Sequence, residues 1–563
     1  MSWLKNRFSR AHWSRKESQI ALRGPETQEQ GSPTPVNQTI FQGFEWHTPG
    51  GHWTRLSAAL QTYADLGITS IWLPPGCKAN QPDGNGYDCY DLWDLGEFEQ
   101  KGSRSTKWGS REELRDLMEK ARSLGIGIIW DAVLNHKTAG DTTEECWAVE
   151  VDPEDRRIEV TKPRKIEPWI RYTFPGRGDK YSNMKWHWQH FNGTDWDQRA
   201  ERHAIYKIID PPDAKGRRPK KGGKDWAPDV DDENGNFDYL MFSNIDYTNR
   251  EARQDVLNWG VWMVSPEVGV TGFRLDAFKH VSWHFAREWT AHVKASAPDT
   301  FIVGEYWTGE LSKLTKWVDH VGHGAYTYDA PLLNAMSTLS LAADRAARRS
   351  SLTTTLSAPQ PQHPVDLRHL FKSTLVAARP RAAITMVTSH DTQAGQTMDT
   401  PIAPFFKPLA YALTLLRAAG LPCVFYGDLH GTRGPHAAPP ACSGKLPLLL
   451  LARRYYAYGA QTDYFDARTS VGWVRHGTWD RPDGCAVVLS VAGPARKGMC
   501  VGRWAAGQTW VDVYGGVEEK VVLDERGCGV FGCRARSVSV WVREGSVPGD
   551  VWERAERGEG FKL

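Results

Sequence analysis

The chain is poor in the features that would tie it to a membrane, an oxidising compartment or a polyanion. No stretch of its 563 residues approaches the roughly 18 consecutive apolar residues of a membrane span. The N-terminal MSWLKNRFSRAHWSRKESQ lacks the apolar run of a secretory signal. Arg-rich and nearly acid-free, it reads as a solvated tail rather than an organelle-targeting segment. Cysteine is sparse, nine residues with no C-x-x-C pair, so no disulfide framework is expected and a reducing, cytoplasmic setting fits. Charge of one sign is lacking too: 69 Lys+Arg against 67 Asp+Glu leave +2, which removes the whole-chain case for binding nucleic acid. With 40% hydrophobic residues the chain is not disordered as its main state. What is plentiful is tryptophan, 26 residues, suited either to a packed β-rich core or to platforms for flat ligands such as sugar rings.

Apolar runs alternate with helix-period segments. Strand-like runs fall at 38–46, 68–75, 126–136, 269–280, 300–307, 324–332, 382–392 and 421–428, and helical segments near 53–66, 110–124, 250–264, 281–296, 310–320, 366–378 and 405–419. Eight strands alternating with helices predict an α/β chain built on a (β/α)8 TIM barrel. Residues 137–249 are too many for a connection and predict an inserted domain after strand 3. After a helix near 444–457, short β-type runs with turn residues predict a C-terminal antiparallel β-sandwich over 458–545. The expected organisation is thus a tail over 1–35, a barrel over 36–136 and 250–457, the insertion, the sandwich, and a second tail over 546–563. Two stretches read as loops: the basic 211–224, solvated, and 343–362, flexible.

Barrels of this type place reactive groups at the C-terminal ends of their strands. In GFRLDAFKH, Arg274 and Asp276 are two apart and share a strand face. Glu305 ends the apolar run IVGEYW, and His390 and Asp391 end strand seven in TSHDTQ. A single such carboxylate is better read as a cap or a buried ion pair. Three on separate strands suit glycosidic bond cleavage, which needs an acid, a nucleophile and a stabiliser of developing positive charge. Arg274 is expected to depress the pKa of Asp276 and keep it ionised. The apolar company of Glu305 is expected to raise its pKa toward that of a proton donor.

DAVLNH (131–136), GFRLDAFKH (272–280), GEYW (304–307) and SHDTQ (389–393) resemble the four signature segments of the α-amylase clan of glycoside hydrolases. GNGYDCYDLWDLGEF, FPGRGDKYSNMKWHWQHFNGTDWD and ENGNFDYLMFSNIDY resemble the bacterial liquefying α-amylases in particular. The resemblance covers roughly residues 36–545. It implies Asp276 as nucleophile, Glu305 as general acid/base and Asp391 as the third carboxylate, holding the distorted sugar. It implies His136, Arg274 and His390 as ligands of that sugar, Tyr87 as its stacking platform, and Lys279 with His280 on the leaving-group side. Trp307 and Trp46 could extend the platform, Trp46 equally being core.

The resemblance also implies a structural Ca²⁺ between barrel and insertion, held by Asn135, Asp238, Asn244 and the carbonyl of His280. Asn244 stands where the bacterial relatives have Asp, and two further carboxylates of their metal cluster fall on Asn192 and Ala227. Lost negative charge weakens divalent binding, so one calcium at most is expected. Ser389 replaces the usual Asn before the His-Asp pair. The expected function is an intracellular, retaining endo-hydrolase of α-1,4-glucosidic bonds in glycogen, starch or related α-glucans, acting as a monomer. The alternatives are a 4-α-glucanotransferase or primer-forming enzyme, and a non-catalytic glucan-binding protein that has kept the fold.

Overall fold

The computed structural model describes residues 32–215, 217–218, 223–352 and 364–557. Eight short parallel strands close a barrel: β1 Ile40–Gln42, β2 Ser70–Trp72, β3 Gly127–Ala132, β4 Gly272–Leu275, β5 Phe301–Gly304, β6 Tyr326–Tyr328, β7 Ala383–Met386 and β8 Leu421–Phe425, with β1 bonded to both β2 and β8. Each lies inside one of the eight predicted runs. Their residues are almost all buried, as expected of strands covered by helices on one face and filled by side chains on the other.

The helices form where caps and apolar spacing agree. Helix α1, His52–Asp65, and α2, Arg111–Ser123, flank β2; α2 starts on a Ser110/Glu113 capping box and buries Leu114, Leu117, Met118 and Ala121 at helical spacing. Asn249 caps α3, Arg250–Val264, by accepting from the N–H groups of Glu251 and Ala252. Then come α4, Trp283–Ser296, α5, Leu311–Val321, and α6, Ala330–Leu352. After β7, α7 covers Lys407–Leu415, and α8, Leu446–Tyr456, closes the ring.

Four sequence readings change. The stretch read as a loop from 343 continues α6 to Leu352, consistent with its run of good helix formers, and Asp344 is tied to Arg348 and Arg536; residues 353–363 lie outside the described ones. The helix predicted over 366–378 is two separate turns, Leu367–His369 and Leu375–Ala378. Asp329, just past β6, starts the second by accepting from the N–H groups of Leu375 (3.0 Å) and Val376 (2.7 Å). The predicted C-terminal tail carries a helix, α9, Gly549–Glu556, whose buried Trp552 lies against Tyr456 of α8. Finally, Cys500 and Cys528 face each other across an antiparallel pair and form a disulfide. Seven other cysteines are free and buried.

Between β3 and α3 a six-stranded antiparallel sheet runs in the order His136–Lys137, Ser243–Ile245, Phe191–Asp197, Arg202–Ile209, Cys146–Glu150, Arg164–Ile166. Its first strand begins four residues after β3, so the insertion stands at the C-terminal mouth of the barrel. Past α8, a six-stranded antiparallel sheet and the pair Ala495–Cys500 with Cys528–Cys533 enclose a second core around Val488, Trp510, Phe531 and Trp541.

Candidate active site

Arg274 is the hub of the barrel mouth. In register it lies beside Asp131 of β3 and Val303 of β5. Its Nη1 donates to Asp131 Oδ1 (2.8 Å) and Asp276 Oδ1 (2.5 Å), and its Nη2 lies 2.9 Å from Glu305 Oε2 and 3.9 Å from Asp391 Oδ2. One cation therefore faces four carboxylates from four strand ends. Exposure separates them: the Asp131 side chain is 0% exposed, while Asp276, Glu305 and Asp391 are 10%, 12% and 26% exposed. The first can only support the site; the other three can meet a ligand.

The backbone contributes directly. Beyond β4 the chain turns at Ala277, a non-glycine residue at φ 56°, and the turn aims the Ala277 N–H at Glu305 Oε2, 2.8 Å away. At the end of β5, Gly304 lets Trp317 of α5 pack against the strand; a Cβ there would come within 2.1 Å of the indole. Ser389 accepts from the N–H groups of Asp391 and Thr392, both at 3.3 Å, so the hydroxyl at this departure from the family pattern holds the turn that carries Asp391.

On the other wall, His390 Nε2 lies 2.7 Å from the Tyr87 hydroxyl and 3.1 Å from Asp391 Oδ2. Gln42 Nε2 donates to Phe44 O and faces His390 Nδ1 at 2.9 Å, which leaves Nδ1 as acceptor and puts the imidazole proton on Nε2. Burial keeps this histidine neutral, its pKa well below the usual value. The Tyr87 hydroxyl donates to Asp131 Oδ2 (2.8 Å), as does Trp72 Nε1 (2.9 Å). Trp46, Tyr87 and His390 are nearly parallel, with interplanar angles of 7–8°, so Trp46 belongs to the mouth and not to the core. His136 lies under the loop of Tyr87, its Nε2 2.8 Å from the Tyr87 carbonyl, with burial lowering its pKa to about 4. Trp307 sits half-buried against Tyr328.

The carboxylate pKa values correct one expectation. Burial pushes Asp276 up, outweighing the lowering effect of Arg274, so it is not depressed. Glu305 is raised too, by burial and then by the charge of Asp276, with Arg274 opposing. Asp391 is pushed well above the carboxylate range, by burial first and Glu305 second. Asp131, in the same network, is raised to about 7 by burial.

The two residues expected on the leaving-group side both have partners in the insertion. Lys279 pairs with Glu233 of the insertion. His280 turns its Nδ1 to the Phe237 carbonyl, 2.8 Å away, inside the junction of barrel and insertion. Of the tryptophans in KWHWQHFNGTDWD, Trp186 is core, while Trp188 and Trp196 are half-buried. Sequence reasoning missed Asp131, Trp72 and Gln42 as parts of the site. The one signal for Asp131 was an acidic residue inside the apolar run IGIIWDAVL.

Asn135, Asp238 and His280 do converge, around a cavity of about 320 Å³ that Asn192, Ala227 and Asp246 also line, and Asn244 joins them through its hydrogen bonds to Asn135 and Asn192. The donors nevertheless do not fit a calcium ion, which takes six to eight oxygen ligands with carboxylates among them. Asn244 Oδ1 is occupied by Asn135 Nδ2 (3.2 Å) and Asn192 Oδ1 by Asn244 Nδ2 (2.8 Å). Asp238 Oδ2 accepts from Asn192 Nδ2 (2.6 Å) and the Ala227 N–H (2.9 Å). Of the other carboxylates lining the cavity, Asp246 pairs with Lys224 at 2.5 Å, Asp229 accepts from Ser282 and faces His284, and Glu288 lies 4.0 Å from Arg253. Among the described residues no three His, Cys, Asp or Glu side chains group as metal ligands.

A closed barrel carrying an inserted domain after its third strand, with an arginine flanked by partly open carboxylates at its mouth, defines a barrel of the glycoside hydrolase class. The profile of the alpha-amylase catalytic domain matches residues 16–473. The chain is 39% identical over 513 residues to an alpha-amylase of Bacillus licheniformis, covering 90% of this chain and 94% of that one. It is 38% identical over 520 residues to a cytoplasmic alpha-amylase of Escherichia coli (strain K12), covering 90% and 99%. A solved alpha-amylase from Geobacillus thermoleovorans, complexed with acarbose, shares the fold at a TM-score of 0.54 and 16% identity, over 91% of this chain and 99% of that one. The chain belongs to the alpha-amylase family.

Proposed function

We propose that the protein hydrolyses internal α-1,4-glucosidic bonds of an α-glucan with retention of configuration, inside the cell. Asp276 attacks the anomeric carbon and forms a glycosyl-enzyme ester while Glu305 donates its proton to the departing glycosidic oxygen; Glu305 then takes a proton from water, which releases the sugar and restores Asp276. The observation that carries this reading is the shared guanidinium. Arg274 holds Asp276 and Glu305 by separate nitrogens, which fixes the two carboxyl groups relative to one another, and burial with the charge of Asp276 raises the Glu305 pKa in the sense a proton donor needs. Asp391 and His390 form the wall that meets the sugar hydroxyls, and Tyr87 with Trp46 offers its stacking face. The intracellular setting rests on the similarity to the cytoplasmic Escherichia coli alpha-amylase.

The test is a time course of products from soluble starch, glycogen and a defined maltooligosaccharide. Internal cleavage to shorter oligosaccharides of α configuration is expected. Products longer than the starting oligosaccharide would identify transfer to sugar rather than to water, and no turnover of any of the three would sink the hydrolase reading.

A further inference from the structure

The junction between barrel and insertion has a cation of its own. We propose that Lys224 and a chain of three asparagines close this junction without a metal ion, so that the fold does not depend on calcium. Lys224 is 7% exposed although it comes from the basic stretch that reads as a solvated loop. Its Nζ lies 2.5 Å from Asp246 Oδ2 and donates to the Gln189 carbonyl at 2.8 Å. The other Asp246 oxygen accepts from the N–H (3.0 Å) and hydroxyl (2.5 Å) of Thr248, so both oxygens of that carboxylate have partners within the chain itself.

Beside this pair runs a continuous amide relay. Asn135, just beyond β3, donates to Asn244; Asn244 donates to Asn192; Asn192 donates to Asp238. The four residues come from the barrel mouth, two strands of the inserted sheet and the loop of the insertion that leads into Ser243–Ile245, so the relay stitches the same parts that a bridging ion would. An amide can supply both a donor and an acceptor, which lets neighbours satisfy one another without an external charge. A bare carboxylate cannot, and clusters of carboxylates require a cation. With asparagine at 192 and 244 and alanine at 227, the carboxylates left beside the relay are Asp238 and Asp246, the latter paired with Lys224, while Asp229 and Glu288, which also line the cavity, face His284 and Arg253. A divalent ion entering the cavity would sit near the Lys224 ammonium and would have to break the amide relay to gain oxygen ligands.

The experiment compares thermal unfolding of the full chain after exhaustive dialysis against EDTA with unfolding in millimolar calcium. An ion bound to the folded state and not the unfolded one raises Tm, so metal independence predicts midpoints that agree within about 1 °C. A larger fall in chelator that calcium reverses would overturn the proposal, as would calcium retained stoichiometrically by the purified protein. Lys224→Met, measured in chelator, is expected to lower Tm by several degrees because it leaves Asp246 buried without its partner. An unchanged Tm would remove Lys224 from the role assigned here. Should the variant fail to fold, the wild-type comparison decides alone.

Discussion

Arg274 and Asp276, two residues apart at the end of β4, meet at 2.5 Å between Nη1 and Oδ1. The same Nη1 serves Asp131, and Nη2 is left for Glu305. The planar fork fixes where the two carboxylates sit relative to one another, a task that charge alone does not perform. Arg274→Lys keeps the charge and loses the fork. Its kcat on maltooligosaccharides is expected to fall by at least about a hundredfold, the scale of a misplaced reacting group. Thermal unfolding of the same sample separates this from loss of fold, and activity within threefold or so of wild type would show that the charge suffices.

Burial raises the Glu305 pKa, and the charge of Asp276 beside it adds to the rise. Glu305→Gln is expected to lower kcat on starch by roughly 10²–10⁴, the usual worth of a general acid. On an aryl maltooligosaccharide whose leaving group departs without protonation, the loss in the first step should be far smaller. Equal losses on the two substrates would assign Glu305 a role other than proton donor.

The pH dependence of stability follows from Asp131. Burial raises its folded-state pKa to about 7, from an unfolded value near that of a free carboxyl. A carboxyl raised in this sense binds its proton more tightly in the folded state, so its stabilisation is complete below about pH 4 and is lost as pH rises toward 7. Asp131→Asn removes this titration. The Tm of the variant minus that of wild type should therefore increase between pH 4 and 7, and a constant or decreasing difference would contradict the burial-dominated origin of the shift.

The legible parts of this protein were local. Each barrel strand announced itself as an apolar run, and Asp276, Glu305 and Asp391 stood out because charge at the end of such a run has few structural uses. Asp131 carried the same mark but needed its partner to be understood, and Arg274 reaches it only through the parallel register of β3 against β4, 143 residues apart in sequence. The direction of the Asp276 shift was misread for a related reason: the neighbouring arginine is visible in GFRLDAFKH, whereas the burial that outweighs it is assembled from other strands. The Cys500–Cys528 pairing depends on two strands that no spacing rule connects. Lys224 looked like one more charge in a basic loop, and only the fold shows Asp246 waiting for it.

Gly304 links packing to chemistry. It immediately precedes Glu305, whose own N–H continues the strand ladder to Leu275 O at 2.9 Å, and Trp317 of α5 lies where a side chain at 304 would project. The indole is fully buried, and close-packed interiors leave a ring of this size little room to retreat. Gly304→Ala must therefore push β5 and α5 apart, an overpacking cost of about 1–3 kcal/mol. The displacement falls on the residue that holds Glu305, so activity should drop by more than the fraction unfolded at the assay temperature explains. The check is kcat measured well below the variant's own Tm, with Gly304→Ala/Trp317→Phe as the relieving partner. Recovery of both Tm and kcat in the double variant is expected, and recovery of Tm alone would place the activity loss outside this contact.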